Sequence, residues 1–313
     1  MSKRDKNVLN IFPDNSSSNK NDDKYIDLGE RGKLSKRNKL NELTGKEWIL
    51  FTKSWFIHRP KRRNETEILH PAKYPESLVK EFILFFTKKG QSIIDPFAGT
   101  GSTNIAAHET SRNCIGLEIT KKYTDIANKR IQNNFEFEFS DRKFNEVING
   151  NSNDACNIIK NYSPQLYKDK FDFCITSPPY WDQLKRNSLR QQNRKSKGLD
   201  TVYSFDPDDI GNENNYKEFI KKQKKIFNQV YRLLKDKAYL VVITNNIFFS
   251  GEVYPLAFDT FKSLTSKPYR WIGKDEKIWC QDDKQLHNLG INNAWVGNRS
   301  HQYCLIFRKK TSK

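Results

Sequence analysis

The chain has 313 residues, of which 36% are apolar, and it carries a formal net charge of +18. That length suits one large domain, or one domain with appendages, and the basic excess points to a polyanionic partner, most simply nucleic acid. No apolar run approaches the roughly 18 residues of a membrane span, and the basic start Met1-Ser2-Lys3-Arg4 leads into no apolar signal region, so neither a membrane protein nor a secreted one is expected.

Residues 1–40 are rich in Asn, Lys, Asp and Ser and poor in apolar residues, which predicts a disordered tail, at least to about Asp27; the domain is expected over 41–313. Between Leu43 and Ile57, Trp48, Phe51, Trp55 and Phe56 recur at helix-like spacing and predict a short helix. Arg59-Pro60-Lys61-Arg62-Arg63 is a basic knot able to meet phosphates. A helix is expected from about Ser77, as N-cap, to Lys89, with Leu78, Phe82, Phe85 and Phe86 as its apolar stripe and Gly90 ending it.

Ser92-Ile93-Ile94-Asp95 reads as a strand, Pro96-Phe97-Ala98-Gly99-Thr100-Gly101 as a glycine turn, and Ser102 to Glu109 as a helix. The glycines allow positive φ and close approach of backbone to a ligand. A dinucleotide fingerprint would need glycine at position 104, where Asn104 stands, and no P-loop lysine follows. Cys114 to Glu118 is a second strand with a carboxylate at its end, 17 residues beyond Gly101, placed to accept both hydroxyls of a ribose over the turn. A third strand, Glu146 to Gly150, ends in Asn151-Ser152, which could read an adenine edge or cap the next helix.

Phe171 to Ile175 is a fourth strand, closed by Thr176-Ser177-Pro178-Pro179-Tyr180-Trp181. Proline has no N–H to give to a sheet ladder, so the strand must end there. The result is a rigid turn offering a hydroxyl, free carbonyls and an aromatic face: chemistry suited to a flat ring with an exocyclic amine. Residues 182–215 then form a long polar loop in which Lys185, Arg186, Arg190, Arg194, Lys195 and Lys197 stand against Asp182 alone in the first sixteen positions. Beside a site, such a loop is a natural clamp on a polyanion. An amphipathic helix (Tyr216 to Lys235), a buried strand (Tyr239 to Thr244), a helix near Pro255 to Leu264 and strands at Tyr269–Trp279 and His301–Arg308 complete the chain. The late segment between those two strands bears Gln, Asn and Trp. Cys114, Cys156, Cys174, Cys280 and Cys304 share no ligand spacing and read as reduced residues, with no metal site.

Alternating strands and helices predict an α/β, doubly wound, mostly parallel seven-stranded sheet with an antiparallel edge strand. Asp95-Pro96-Phe97-Ala98-Gly99-Thr100-Gly101, followed about 80 residues later by Thr176-Ser177-Pro178-Pro179-Tyr180, resembles the paired motifs of the DNA amino-methyltransferases, which methylate N4 of cytosine or N6 of adenine. His70 through Phe86 and Arg299 through Arg308 are similar to that family's leading helix and closing strand, so the likeness covers roughly 43–310. It implies S-adenosylmethionine as cofactor, held by Asp95, Phe97, Gly99, Gly101, Glu118, Asn151 and Ser152. It also implies a catalytic group of Ser177, Pro178, Pro179 and Tyr180, with Tyr180 stacked on a flipped base. Double-stranded DNA would be the substrate, contacted by Lys185, Arg186, Arg190, Arg194 and Lys195, and a restriction endonuclease for the same site is a partner the family allows, in a bacterial or archaeal cytoplasm. The Ser-Pro-Pro-Tyr form inclines the reading to N4 of cytosine, ahead of N6 of adenine, an RNA substrate or a non-catalytic binding subunit. Two departures stand out: Asn151 where the family often has Asp, and no separate block of a hundred or more residues for target recognition. C5 methylation needs a cysteine nucleophile, typically after a proline, and none of the five cysteines follows one, so that route is not the expected one.

Overall fold

The computed structural model describes residues 24–59, 74–134, 144–181, 204, 206–289 and 295–311, together with 192, 195 and 196. Strands β4 (Ser92–Asp95), β5 (Asn113–Glu118), β6 (Asn145–Asn149), β7 (Phe171–Thr176) and β8 (Leu234–Thr244) run parallel in one sheet. To their far side come β12 (His301–Arg308), β11 (Ile272–Cys280) and β3 (Trp55–Ile57), giving the order β3-β11-β12-β8-β7-β4-β5-β6.

Strand side chains alternate between two cores, as a period of two requires. Ile94, Ile115, Leu117, Cys174, Leu240, Val242, Leu305 and Phe307 point to one face. That face is covered by α5 (Ala155–Tyr162), α7 (Tyr216–Leu233) and α8 (Leu256–Leu264). Ile93, Cys114, Phe173, Ile175, Val241, Ile243, Cys304 and Ile306 point to the other, under α1 (Gly45–Phe51), α2 (Glu76–Phe86) and α3 (Ser102–Glu109). Helices α4 (Lys121–Asn133) and α6 (Pro164–Asp169) complete the wrapping, and α4 sets Ala127 and Ile131 against Ala98 and Val147.

Several expectations are corrected. The sheet has eight strands, because the aromatic run after α1 becomes β3 and pairs in parallel with Ile278–Cys280. Strand β12, which alone runs antiparallel to the rest, lies inside the sheet between β8 and β11 and not at its edge. The expected tail divides at residue 24: 1–23 lie outside the described residues, while β1 (Tyr25–Asp27) and β2 (Lys33–Ser35) form a hairpin whose intervening turn is tied to α1 by Arg31 and Glu47. Helix α2 stops at Phe86, earlier than Lys89, and its N-cap is Pro75; Ser77 instead places its hydroxyl 2.8 Å from His58 Nε2. The basic knot lies outside the described residues beyond Arg59.

Candidate active site

The chain visits β4, β5 and β6 in one direction, then returns to the other side of β4 with β7 and β8. That reversal parts the loops after β4 and β7 and opens a crevice at their carboxyl ends, where open α/β sheets take ligands. A cavity of about 440 Å³ lies there, with Phe97, Gly99, Glu118, Asn151 and Ser152 in its wall beside Ser177, Pro178, Pro179 and Tyr180. Nine residues singled out in the sequence thus meet in one space.

The glycine turn works as its composition demands. Gly99 and Gly101 have φ of 53° and 79°, where a side chain would be strained. Gly101 itself stays out of the cavity wall; a Cβ there would press on Ala127 Cβ at 3.1 Å, so its task is close packing of α4. Asp95 also departs from the expected cofactor role. It is wholly buried, does not line the cavity, and accepts from Phe97 N at 3.0 Å, Thr176 Oγ1 at 2.6 Å, and Tyr74 Oη and Thr103 Oγ1 at 2.5 Å each. It therefore stitches the end of β4 to the end of β7, fixing one motif against the other, and burial raises its carboxyl above the ordinary value.

Glu118 faces the cavity. Its oxygens accept from the N–H groups of Gly99 and Thr120, both at 2.9 Å, which leaves each oxygen further lone pairs. Burial pushes its carboxyl up to about 7; those two donors and the Thr120 side chain oppose the shift, and nearby Asp209 adds to it. Ser152 donates to Pro96 O at 2.5 Å, while the Asn151 side chain accepts from Asn153 N and caps a short 3-10 turn. Both line the wall, yet each also has a local structural bond. Ser102 Oγ, at the start of α3, is buried on the same wall without a hydrogen-bond partner.

On the β7 side, Tyr180 Oη donates to Gln302 Oε1 at 2.8 Å and lies 3.3 Å from Ser177 Oγ. A phenol has one proton, so Ser177 donates to Tyr180 and keeps its own lone pairs for an incoming donor. Trp181 anchors the turn from behind, packed on Tyr216, Phe249 and Tyr254 and donating to Asn214 O at 3.2 Å. Of the proposed DNA contacts, Lys185, Arg186, Arg190 and Arg194 lie outside the described residues, and Lys195 is exposed. Sequence reading missed His58, Asp209, Asn245 and Gln302 in the cavity wall. Only Gln302 carried a signal, as a polar residue entering an otherwise apolar strand.

A family model described as DNA methylase, of the N6/N4 type, matches residues 2–129 and 171–313. The chain belongs to this DNA methylase family. Both cavity walls, Phe97 to Glu118 and Ser177 to Gln302, fall within the matched blocks, whereas Asn151 and Ser152 fall between them. The chain is 33% identical over 132 residues to the orphan methyltransferase M.BamHII of Bacillus amyloliquefaciens, covering 40% of this chain and 49% of that one. It is 31% identical over 87 residues to the type II methyltransferase M.HpaI of Haemophilus parainfluenzae, covering 28% of each. The chain spans about half or less of the length of these curated relatives. Among solved structures, TrmN from Thermus thermophilus overlaps 75% of this chain and 48% of its own, with a TM-score of 0.44 and 9% identity. No described helix is long and apolar enough to cross a membrane, and no described cluster of His, Cys, Asp or Glu could hold a metal ion.

Proposed function

We propose that the protein transfers a methyl group from S-adenosylmethionine to the exocyclic N4 amine of a cytosine drawn out of double-stranded DNA. The single observation behind this reading is the shared cavity, which sets the glycine turn and Glu118 opposite Ser177-Pro178-Pro179-Tyr180. The wall suits the cofactor: a carboxylate with lone pairs to spare at Glu118 fits a ribose diol, and the unpartnered Ser102 Oγ offers a further polar contact. Phe97 and Gly99 would flank the methionine part, and Asn151 the adenine. Bound there, the cofactor supplies an electrophilic methyl on a sulfonium.

The chain's own residues prepare the amine. Ser177 Oγ and the Pro178 carbonyl would accept its two N–H groups, drawing density onto nitrogen as it turns from planar to tetrahedral. Proline at 178 and 179 holds those acceptors rigidly, so little ordering remains for the moment of reaction. Tyr180, fixed by Gln302, would stack on the ring. Unstacking a base costs a few kcal/mol and one aromatic stack returns about 1–3 kcal/mol, so Tyr180 offsets much of the cost. Phosphate contacts are assigned to the 182–215 loop through Lys185, Arg186, Arg190, Arg194 and Lys195, in keeping with the net charge of +18.

Serine as the first residue of the motif favours N4 of cytosine; N6 of adenine presents the same amine chemistry and is the reading to exclude. Mass spectrometry of nucleosides from DNA of a methylation-free host expressing the protein tests both. N4-methylcytosine is the expected mark. N6-methyladenine would overturn the choice of base, and neither mark would overturn DNA methylation itself.

A further inference from the structure

The connection from β11 to β12 is braced across its width. Gln281 N donates to Ser300 O and Lys284 Nζ to Arg299 O, both at 2.7 Å. His287 and Asn298 exchange two hydrogen bonds, at 2.9 and 2.8 Å, and Arg299 Nη1 reaches Asn246 O at 3.3 Å. A loop so tied could bury its apolar side chains, yet Leu286 is 69% exposed and Trp295 94%. An indole held in water beside leucines that are also exposed, on a connection whose described ends are braced together, marks a contact surface.

The composition of the segment points to the partner. Its formal charges are Asp282, Asp283, Lys284 and Arg299, which cancel, and Asp282 is already paired with Arg59. Amides make up six of its eight uncharged polar residues, the others being His287 and Ser300. Charge grips phosphate, whereas amides and aromatics meet bases. The segment also borders the active site: a second cavity of about 320 Å³ along it shares Asn245 and Lys284 with the first. Asn245 Nδ2 donates to His301 O at 3.0 Å, so its Oδ1 is turned the other way, buried and without a hydrogen-bond partner at that junction.

We propose that the described parts of this connection, 281–289 and 295–300, face the DNA duplex beside the base taken into the cavity, with Trp295 stacked on the neighbouring bases. The inference rests on the methyltransferase reading. Drawing a base from the stack leaves its neighbours with open faces, and proteins that distort DNA commonly cover such faces with an apolar side chain. The basic 182–215 loop then supplies phosphate contacts while the neutral loop meets the bases.

The test is steady-state methylation of unmethylated phage duplex DNA with radiolabelled S-adenosylmethionine, comparing wild type, Trp295→Ala and Trp295→Phe. Trp295→Ala should raise KM for DNA about tenfold or more, the worth of one stack, and leave cofactor affinity unchanged. Trp295→Phe should restore most of the loss. The slope of log KM against log salt should be the same in all three, since no phosphate contact is removed. A Trp295→Ala protein with wild-type KM overturns the inference alone. So does a Trp295→Ala protein that keeps its KM but sediments as a smaller species than the wild type, which would give the loop to a second protein copy. A wild type that transfers no label overturns the methyltransferase reading and the inference with it.

Discussion

Two carboxylates end neighbouring strands, Asp95 on β4 and Glu118 on β5, and their fates differ. Asp95 is closed in by four donors, three of them side-chain hydroxyls from elements far apart in the chain. Glu118 meets two backbone N–H groups and the Thr120 side chain, all from its own strand end and the glycine turn, and faces the cavity. Burial raises both, but one is used by the fold and the other is open to a ligand. A motif position fixes which residue is needed; the unfilled lone pairs tell whether the need is structural or chemical.

The largest expected effect breaks the structural member. Asp95→Ala leaves the buried hydroxyls of Tyr74, Thr103 and Thr176, and the Phe97 N–H, without their shared acceptor. Buried donors left unpaired cost about 1–3 kcal/mol each, with some relief from repairing among themselves, so a loss of about 3 kcal/mol or more is expected in denaturant unfolding. Cofactor binding by the folded fraction should survive. If Asp95→Ala keeps full stability and loses the cofactor, the two carboxylates have been assigned the wrong way round.

Glu118→Gln should do the reverse. The carboxyl has a folded value of about 7 against an ordinary 4.5, so folding takes up a proton between those values. Stability from this group is therefore full below about pH 4.5 and lost as pH rises through 7. At pH 8 the free Gln variant should be at least as stable as wild type. Cofactor affinity should run the opposite way with pH, because a ribose diol donates to the ionised form. From pH 8 to pH 6 the ionised fraction falls about tenfold for a group titrating near 7, and wild-type affinity should fall with it. Calorimetric titration of both proteins across that range checks the sign; a wild-type profile as flat as that of Glu118→Gln removes the carboxylate from the ribose.

The same contrast explains what could be read without coordinates. Strands β4, β5, β7 and β8 and the stripes of α2 and α7 were legible because burial on both faces or one stripe writes itself into local sequence. Strand β3 was not: Trp55-Phe56-Ile57 continues the aromatic spacing of α1, and its partner, Ile278–Cys280, lies more than two hundred residues on. The β1–β2 hairpin was hidden by polar composition; Arg31 ties it to the body through Glu47 and the Glu42 carbonyl. Phe97, Glu118 and Ser177 were found because glycine, acid and proline punctuate strand ends. Asp209 and Gln302 reach the cavity only through tertiary folding, from a polar loop and from the start of β12. Nor could the motif reveal which way Asp95 points.

Gln302 gives the smallest and sharpest test on the β7 side. It stands at the antiparallel strand yet receives the Tyr180 proton at 2.8 Å, which obliges Ser177 to donate to Tyr180 and frees the serine lone pairs. Gln302→Met keeps the length and removes the acceptor. Tyr180 Oη could then turn its proton to Ser177, occupying a lone pair meant for the target amine and loosening the ring. A neutral hydrogen bond is worth about 0.5–1.5 kcal/mol, so turnover should fall about three- to tenfold, with cofactor affinity unchanged. Gln302→Glu retains an acceptor and should recover much of the rate where it is ionised. Equal losses in Met and Glu would mean that Gln302 only packs against Tyr180 and that the proton order along Ser177, Tyr180 and Gln302 plays no part.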